Sequence, residues 1–153
     1  MAFNVDRASP WDIDAGMRVL GESYEYHGYA FPPAGAPASI EELLAEDGMG
    51  GIWLLRDREL VVVLLVMTFG YDIEFGGRLA VLTDLYVLEK HRRKGTGTAA
   101  LRFAEQFCRR HGICALELQV ERSNGAAQAF YRKAGFEVHD RVPMTRRLTV
   151  RGD

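Results

Sequence analysis

Runs of apolar residues separated by turn signals divide the middle of the chain into predicted strands. A long strand is predicted from Glu59 to Phe69, and a shorter one from Ile52 to Leu55 precedes it across a charged turn. A third strand, Leu79 to Leu88, follows a turn from Gly70 to Gly77. Three consecutive strands joined by short turns predict an antiparallel meander.

Apolar residues at helical spacing predict two helices before the meander and two after it. The first begins at the capping pattern Ser9-Pro10-Trp11-Asp12 and fades near His27, and the second opens at Ser39 with another capping box. Later helices are predicted from Thr98 to about Arg110 and from Ala126 to Ala134, each followed by a glycine. The remaining predicted strands are Phe3 to Ala8, Ile113 to Val120, Phe136 to His139 and Met144 to Val150.

The order of these elements predicts the fold class. Antiparallel strands come first, and a strand–helix–strand crossover follows them. We therefore expect an α/β (α+β) fold, with a mixed, mostly antiparallel sheet of about six or seven strands and helices on both faces. A chain of 153 residues is most simply a single domain over residues 1–153.

Composition narrows the class of protein. Hydrophobic residues at 48% and charged residues at 26% are ordinary for a globular protein, and a net charge of −2 argues against a nucleic-acid partner. The start of the chain lacks a basic segment followed by an apolar run, and no apolar run is long enough to cross a bilayer. Cys108 and Cys114 are expected as free, half-buried thiols, and the four histidines lack metal-ligand spacing. We therefore expect a cytoplasmic protein without a nucleic-acid, membrane or metal partner.

The stretch from Leu79 to Leu101 carries the clearest chemistry. Its strand is followed by His91-Arg92-Arg93-Lys94, then by Gly95-Thr96-Gly97-Thr98, and then by an alanine-rich helix. Glycines let the backbone approach a ligand, the first N–H groups of a helix bind anions, and arginine suits phosphate. The stretch therefore predicts a site for a phosphate-bearing cofactor.

Two interpretations of this glycine turn compete. Gly95-x-Gly97-x-x-Ala100 matches the dinucleotide fingerprint, and Glu117 lies about 20 residues further on, where an acid that binds ribose would sit. In a dinucleotide fold, however, the first glycine turn lies near the start of a doubly wound sheet. Here a meander precedes the turn, and little chain follows it.

The second interpretation accounts for more residues. Arg92-x-x-Gly95-x-Gly97, preceded by Leu85-Tyr86-Val87, resembles the first motif of the GNAT acetyltransferase superfamily. Asn124-x-x-Ala127-x-x-Phe130-Tyr131-x-Lys133-x-Gly135-Phe136 resembles its second motif. The resemblance implies acetyl-CoA as the cosubstrate, with its pantetheine arm in a gap between two diverging parallel strands.

The resemblance also implies roles for individual cofactor-binding residues. Main-chain groups of Leu85 and Val87 would bond the pantetheine arm, and N–H groups from Arg92 to Thr98, helped by arginine side chains, would hold the pyrophosphate. Asn124 would reach the arm or the phosphates, and Phe130 would pack against the arm. The full implied set is Leu85, Tyr86, Val87, Arg92, Arg93, Lys94, Gly95, Thr96, Gly97, Thr98, Asn124, Ala127, Phe130 and Tyr131.

The reaction needs an oxyanion donor, an acid and a base. The resemblance implies the Val87 N–H as the donor and Tyr131 as the acid for the leaving thiolate; as an alternative, Tyr131 is an aromatic residue of the core. Many relatives carry a glutamate as base on the strand before the cofactor, where this chain has Val81 and Thr83. The neighbouring Asp84 is our candidate base, and it could instead be a solvated or capping carboxylate. Asp72 and Glu74 are the other candidates.

The acceptor side is predicted at the aromatic stretch from Tyr24 to Phe31. Aromatic rings with carboxylates suit a cationic amine, and the predicted acceptor-binding residues are Glu25, Tyr26, Tyr29 and Asp84. The segment LTDLYVLEKHRRKGTG also resembles the branch that acetylates diamines and polyamines, which implies a small polyamine-like acceptor. A protein N-terminus or lysine as acceptor, or a non-catalytic CoA-binding module, remain alternatives. A homodimer through the last strands is implied by the resemblance alone.

Overall fold

The structure, a computed structural model, describes residues 3–29 and 36–148. Two short 3-10 turns, Pro10–Asp12 and Glu89–His91, accompany the regular elements. The strands are β1 (Asn4–Arg7), β2 (Gly50–Asp57), β3 (Leu60–Asp72), β4 (Gly77–Val87) and β5 (Ala115–Leu118). The helices are α1 (Ile13–His27), α2 (Ala36–Ala45), α3 (Thr96–Arg110) and α4 (Gly125–Lys133). The chain divides into two compact units, residues 1–119 and residues 120–153, and the second unit contains α4.

The described strands form one sheet in the order β1-β2-β3-β4-β5. The first four strands pair antiparallel, and β5 pairs parallel to β4 after the α3 crossover. The predicted mixed, mostly antiparallel α/β class is therefore confirmed, with five strands instead of the six or seven expected.

The missing strands are those predicted at the C-terminal end. The segments Phe136–His139 and Met144–Leu148 form no strand, while Thr149 and Val150 lie outside the described residues. A strand needs a hydrogen-bonded neighbour and a buried face. Beyond Phe136, the apolar residues of the described C-terminal segment lack a buried face, since Val138, Val142, Met144 and Leu148 are all largely exposed.

Helices cover both faces of the sheet, as predicted. On one face Val19 of α1 packs with Ile52, Leu54 and Leu64, and the apolar side of α2 joins them. On the other face Trp53 of β2 contacts Phe107 of α3, with ring centroids 4.8 Å apart. Successive residues of a strand point to opposite faces, so the continuous apolar run of β2 supplies both layers.

Local sequence signals set the helix ends, although the predicted starts of two helices were wrong. The capping box before α1 forms, because the Ser9 N–H donates to the Asp12 carboxylate at 2.9 Å. The prediction that α2 opens at Ser39 was wrong, since α2 already begins at Ala36; Pro37 suits a first helical turn. Helix α3 begins at Thr96 instead of Thr98.

The cysteine prediction is correct in part. Both cysteines are free thiols, but Cys108 is buried in α3 whereas Cys114 is exposed. Cys114 lies just before β5, where its thiol donates to the Arg78 carbonyl at 3.1 Å. Within the described ranges, no helix combines the length and the apolar character needed to cross a membrane.

Candidate functional site

The first feature of the site is an unpaired edge of β4. Strand β5 pairs with β4 only from Leu79, opposite Ala115, to Leu82, opposite Leu118, while β4 continues to Val87. Beyond Leu82, none of the described strands neighbours this edge of β4. Such an edge exposes main-chain donors and acceptors that a ligand can use.

The direction of the main-chain groups follows from the pairing with β3. The Leu88 N–H donates to the Val62 carbonyl at 2.9 Å, so residue 88 points its main-chain groups at β3. Because N–H and C=O groups alternate in direction along a strand, those of Leu85 and Val87 point to the unpaired edge. These are the two residues whose main-chain groups the family resemblance assigns to the pantetheine arm.

A bulge in β4 decides which face carries Asp84. Leu82 pairs with Met67 and Asp84 pairs with Val66, so Thr83 is the extra residue. Since Met67 and Val66 are adjacent and point to opposite faces, Leu82 and Asp84 do so as well. The bulge therefore turns Asp84 to the face covered by α1 and α2.

The second feature is an anion site at the start of α3. Gly95 precedes the helix with φ of 79°, a left-handed conformation that glycine adopts without strain. The first α-helical bond runs from the Ala99 N–H to the Gly95 carbonyl at 3.0 Å. The N–H groups of Thr96, Gly97 and Thr98 thus lack helical partners and are oriented for an anion.

Basic side chains add charge beside this helix start. A cavity of about 340 Å³ is lined there by residues that include Lys94, Thr98 and Arg102. The Thr96 side chain contributes no donor to it, because that side chain is 1% exposed and its hydroxyl is buried. The predicted phosphate loop therefore has its N–H groups and cations together.

Arg92 takes a position that the sequence did not predict. Its Nε donates to the Val87 carbonyl at 2.9 Å, and its guanidinium lies 4.0 Å from the centroid of the Tyr26 ring and 5.1 Å from that of Tyr86. Stacking of this kind stabilises both partners. Arg92 thus connects the end of β4 to the end of α1, and the cluster of aromatics after Glu22 was the sequence signal for it.

Asp84 is the candidate base that the fold brings to the face covered by α1 and α2. It lines a cavity together with Tyr24 of α1. Burial raises the pKa of the Asp84 carboxyl, while the hydrogen bond from Thr83 and the charge of His27 offset part of the rise. Burial and the charge of Asp84 in turn raise the pKa of Tyr24. A carboxylate with a raised pKa accepts a proton more readily than an exposed one.

The other carboxylates proposed as the base lie elsewhere. Asp72 pairs with Gly77 at the far end of β4, and its side chain accepts the Glu74 N–H at 2.8 Å. At the usual rise per residue, β4 separates Gly77 from Asp84 by roughly 20 Å. The fold therefore brings Asp84, and not the turn that holds Asp72 and Glu74, to the cavity.

The predicted acceptor residues of α1 lie at its C-terminal end. Tyr26 and Tyr29 are exposed at 63% and 46%, and Glu25 is exposed as well. The Tyr29 ring meets that of Tyr24 edge-on at 6.0 Å. Phe31 lies outside the described residues. Tyr26 and Tyr29 are therefore surface residues and not part of the core.

The second motif forms the start and body of α4, within the unit of residues 120–153. The side-chain oxygen Oδ1 of Asn124 caps the helix by accepting the Ala127 N–H at 3.1 Å. Tyr131 packs between Phe130 at 5.2 Å and Phe136 at 5.6 Å. Burial raises the pKa of the Tyr131 hydroxyl, so the hydroxyl keeps its proton at neutral pH.

Comparisons with known proteins agree with one another. The model of the acetyltransferase (GNAT) family matches residues 17–136. The uncharacterized N-acetyltransferase YhfO of Bacillus subtilis strain 168 is 35% identical over 135 residues, which cover 88% of this chain and 90% of that protein. An integron cassette protein from the mobile metagenome of Cole Harbour Salt Marsh has a TM-score of 0.83 at 30% identity, over 95% of this chain and 91% of that one. A possible acetyltransferase from Clostridium difficile 630 has a TM-score of 0.84 over 98% of this chain and 100% of that one; its 18% identity supports the fold alone.

Proposed function

Because this chain belongs to the acetyltransferase (GNAT) family and is therefore an acetyl-CoA-dependent N-acetyltransferase, we propose that its acceptor is the primary amine of a small cationic molecule. The unpaired edge of β4 beside the start of α3 carries this proposal, because it offers main-chain groups to the arm and N–H groups to the pyrophosphate. A carboxylate on the acceptor side favours a cationic acceptor over a neutral one.

The proposed reaction is direct attack of the amine on the thioester in a ternary complex. Asp84 takes the proton that the ammonium must lose before it attacks, and its raised pKa suits that role. The Val87 N–H donates to the oxyanion. As the intermediate collapses, the C–S bond breaks, Tyr131 gives its proton to the leaving CoA thiolate, and the nitrogen loses its second proton to solvent, which reprotonates Tyr131. The products are the amide, free CoA and the one proton taken by Asp84.

The glycine before α3 provides a test of the cofactor site. Gly95→Ala should lower the free energy of unfolding by about 1–2 kcal/mol, since a Cβ is disfavoured in the left-handed region. The added Cβ meets no atom within 4 Å, so strain and not a clash is expected. The dissociation constant of acetyl-CoA should rise as well, because the N–H groups that follow are displaced.

Urea denaturation and titration calorimetry measure these two effects. Gly21→Ala is the matched control, because Gly21 lies inside α1 without a positive φ and should gain stability from the better helix former. Equal stability and equal acetyl-CoA affinity in Gly95→Ala and the wild type would contradict the assignment of this turn.

An amine panel tests the activity itself. We expect purified protein to release CoA from acetyl-CoA in the presence of small primary amines, with the acetylated amine identified by mass spectrometry. Turnover confined to peptides would favour the protein N-acetyltransferase alternative, and acetyl-CoA binding without any turnover would favour the non-catalytic module. The polyamine-like acceptor, the cytoplasmic location and the homodimer remain predictions from the sequence.

A further inference from the structure

A cavity of about 150 Å³ lies between α1, α2 and the sheet face that carries Asp84. Its walls are mostly apolar, and side chains from both helices and from β3 form them. The apolar residues on which the argument depends are Ile13, Leu20, Ile40, Leu43, Leu64 and Val66. An apolar cavity of about this volume holds one benzene-sized molecule.

Two carboxylates reach this cavity, and they differ in their partners. Asp12 is held by Arg56, whose guanidinium is 2.8 Å from the carboxylate, and its carboxylate also accepts the Ser9 N–H at 2.9 Å. Asp84 experiences the charge of His27, but it has no arginine, lysine or histidine within salt-bridge distance in the described part of the chain. The cavity therefore offers one carboxylate to a ligand cation.

We propose that this cavity holds the body of the acceptor, so that the preferred acceptor is a primary amine on a single compact apolar group, either one aromatic ring or a short branched alkyl chain. The ammonium group lies at Asp84 and the apolar group fills the space between α1 and α2. This inference rests on the proposed small-amine acetyltransferase activity.

Charge balance separates this acceptor from a polyamine. A second ammonium in the cavity would be removed from water without a carboxylate to pair with, and burial of an unpaired charge is strongly unfavourable. An apolar group instead gains free energy from the same walls. Asp84 is also adjacent to Leu85, whose main-chain groups face the unpaired edge, so an amine at Asp84 is close to the expected path of the thioester arm.

Gly16 of α1 provides a direct way to fill the cavity. It lines the cavity, it has no positive φ, and a Cβ added there would meet Leu64 Cδ1 at 3.9 Å, an ordinary contact. Gly21 lies on the same helix, does not line the cavity, and would meet nothing within 4 Å. Leucine at either position improves helix propensity, so both variants should fold.

The experiment compares kcat/KM for phenethylamine, ethylamine, putrescine and spermidine. The wild type should prefer phenethylamine, and Gly16→Leu should lower the ratio of phenethylamine to ethylamine activity by about tenfold or more, the scale at which apolar pockets discriminate size. Gly21→Leu should leave that ratio unchanged. A wild-type preference for spermidine, or the same ratio in Gly16→Leu as in the wild type, would overturn the inference while the acetyltransferase activity stands.

A binding measurement distinguishes failure of the cavity assignment from failure of the proposed acetyltransferase activity. If no amine is acetylated, calorimetric titration of phenethylamine into the CoA-saturated protein tests whether the cavity binds the amine. Binding that Gly16→Leu weakens and Gly21→Leu does not would support the cavity assignment although the proposed activity had failed. If phenethylamine does not bind the wild type either, both the cavity assignment and the proposed small-amine activity are wrong.

Discussion

Replacing Asp84 with asparagine should lower kcat by about 10²- to 10⁴-fold at neutral pH, the usual contribution of a general base. The amide cannot take the proton that the ammonium must lose, while its size preserves the cavity wall. Asp72→Asn is the control, because Asp72 lies at the far end of β4 and its variant should keep wild-type kcat. Steady-state kinetics over a pH series measure both variants.

The raised pKa of Asp84 fixes the sign of the pH dependence. Only the ionised carboxylate is a base, so wild-type activity should fall as pH decreases through that raised pKa. The activity of Asp84→Asn should not show this fall. Turnover in Asp84→Asn equal to that of the wild type would exclude Asp84 as the base.

The same substitution should stabilise the fold at neutral pH. A carboxyl whose folded pKa is raised above its unfolded value binds more protons in the folded state, so stability falls as pH rises from the unfolded pKa to the folded pKa. Above the folded pKa the carboxyl is ionised in both states, so the folded protein bears the full free-energy cost of burying the charge. Asparagine carries no charge and removes that cost. Urea denaturation should therefore show a larger free energy of unfolding for Asp84→Asn at pH 7, with the difference shrinking under acid conditions.

Replacing Tyr131 with phenylalanine should lower kcat by about 10²-fold or more while the affinity for acetyl-CoA is retained. The variant keeps the ring contacts with Phe130 and Phe136 and loses only the hydroxyl that protonates the thiolate. Burial raises the pKa of this hydroxyl, so the wild type carries the proton across the neutral range. Kinetics with saturating acetyl-CoA, together with calorimetry, separate turnover from binding.

Tyr71→Phe is the matched control for that variant. Tyr71 is 70% exposed near the end of β3, so the loss of its hydroxyl should leave kcat unchanged. Equal losses in both variants would indicate a general effect of the substitution, and unchanged turnover in Tyr131→Phe would remove Tyr131 from the role of acid.

Features set by local chemistry could be predicted from the sequence. The cap at Ser9, the glycine before α3 and the apolar run of β3 each depend on residues close in the chain, and all three formed as expected. The unpaired edge of β4 was also anticipated, through the resemblance of the Arg92-to-Gly97 motif to a family with that feature.

Features set by contacts between distant residues could not be predicted in this way. The Arg92 side chain was expected near phosphate, but its position depends on Tyr26, which is distant in the chain. The cavity beside Asp84 depends on how α1 and α2 pack together. The C-terminal segment has the alternation of a strand, yet alternation alone does not supply a hydrogen-bonded neighbour.

The extra residue at Thr83 places Leu82 and Asp84 on opposite faces although they are two positions apart in the chain. Deletion of that one codon would make Leu82 and Asp84 adjacent residues of a regular strand, which still point to opposite faces, so Asp84 would stay opposite Val66 on the face covered by α1 and α2. A residue added to β3 between Val66 and Met67 would instead pair with Thr83 and remove the bulge with Thr83 still present, so Leu82 and Asp84 would share one face.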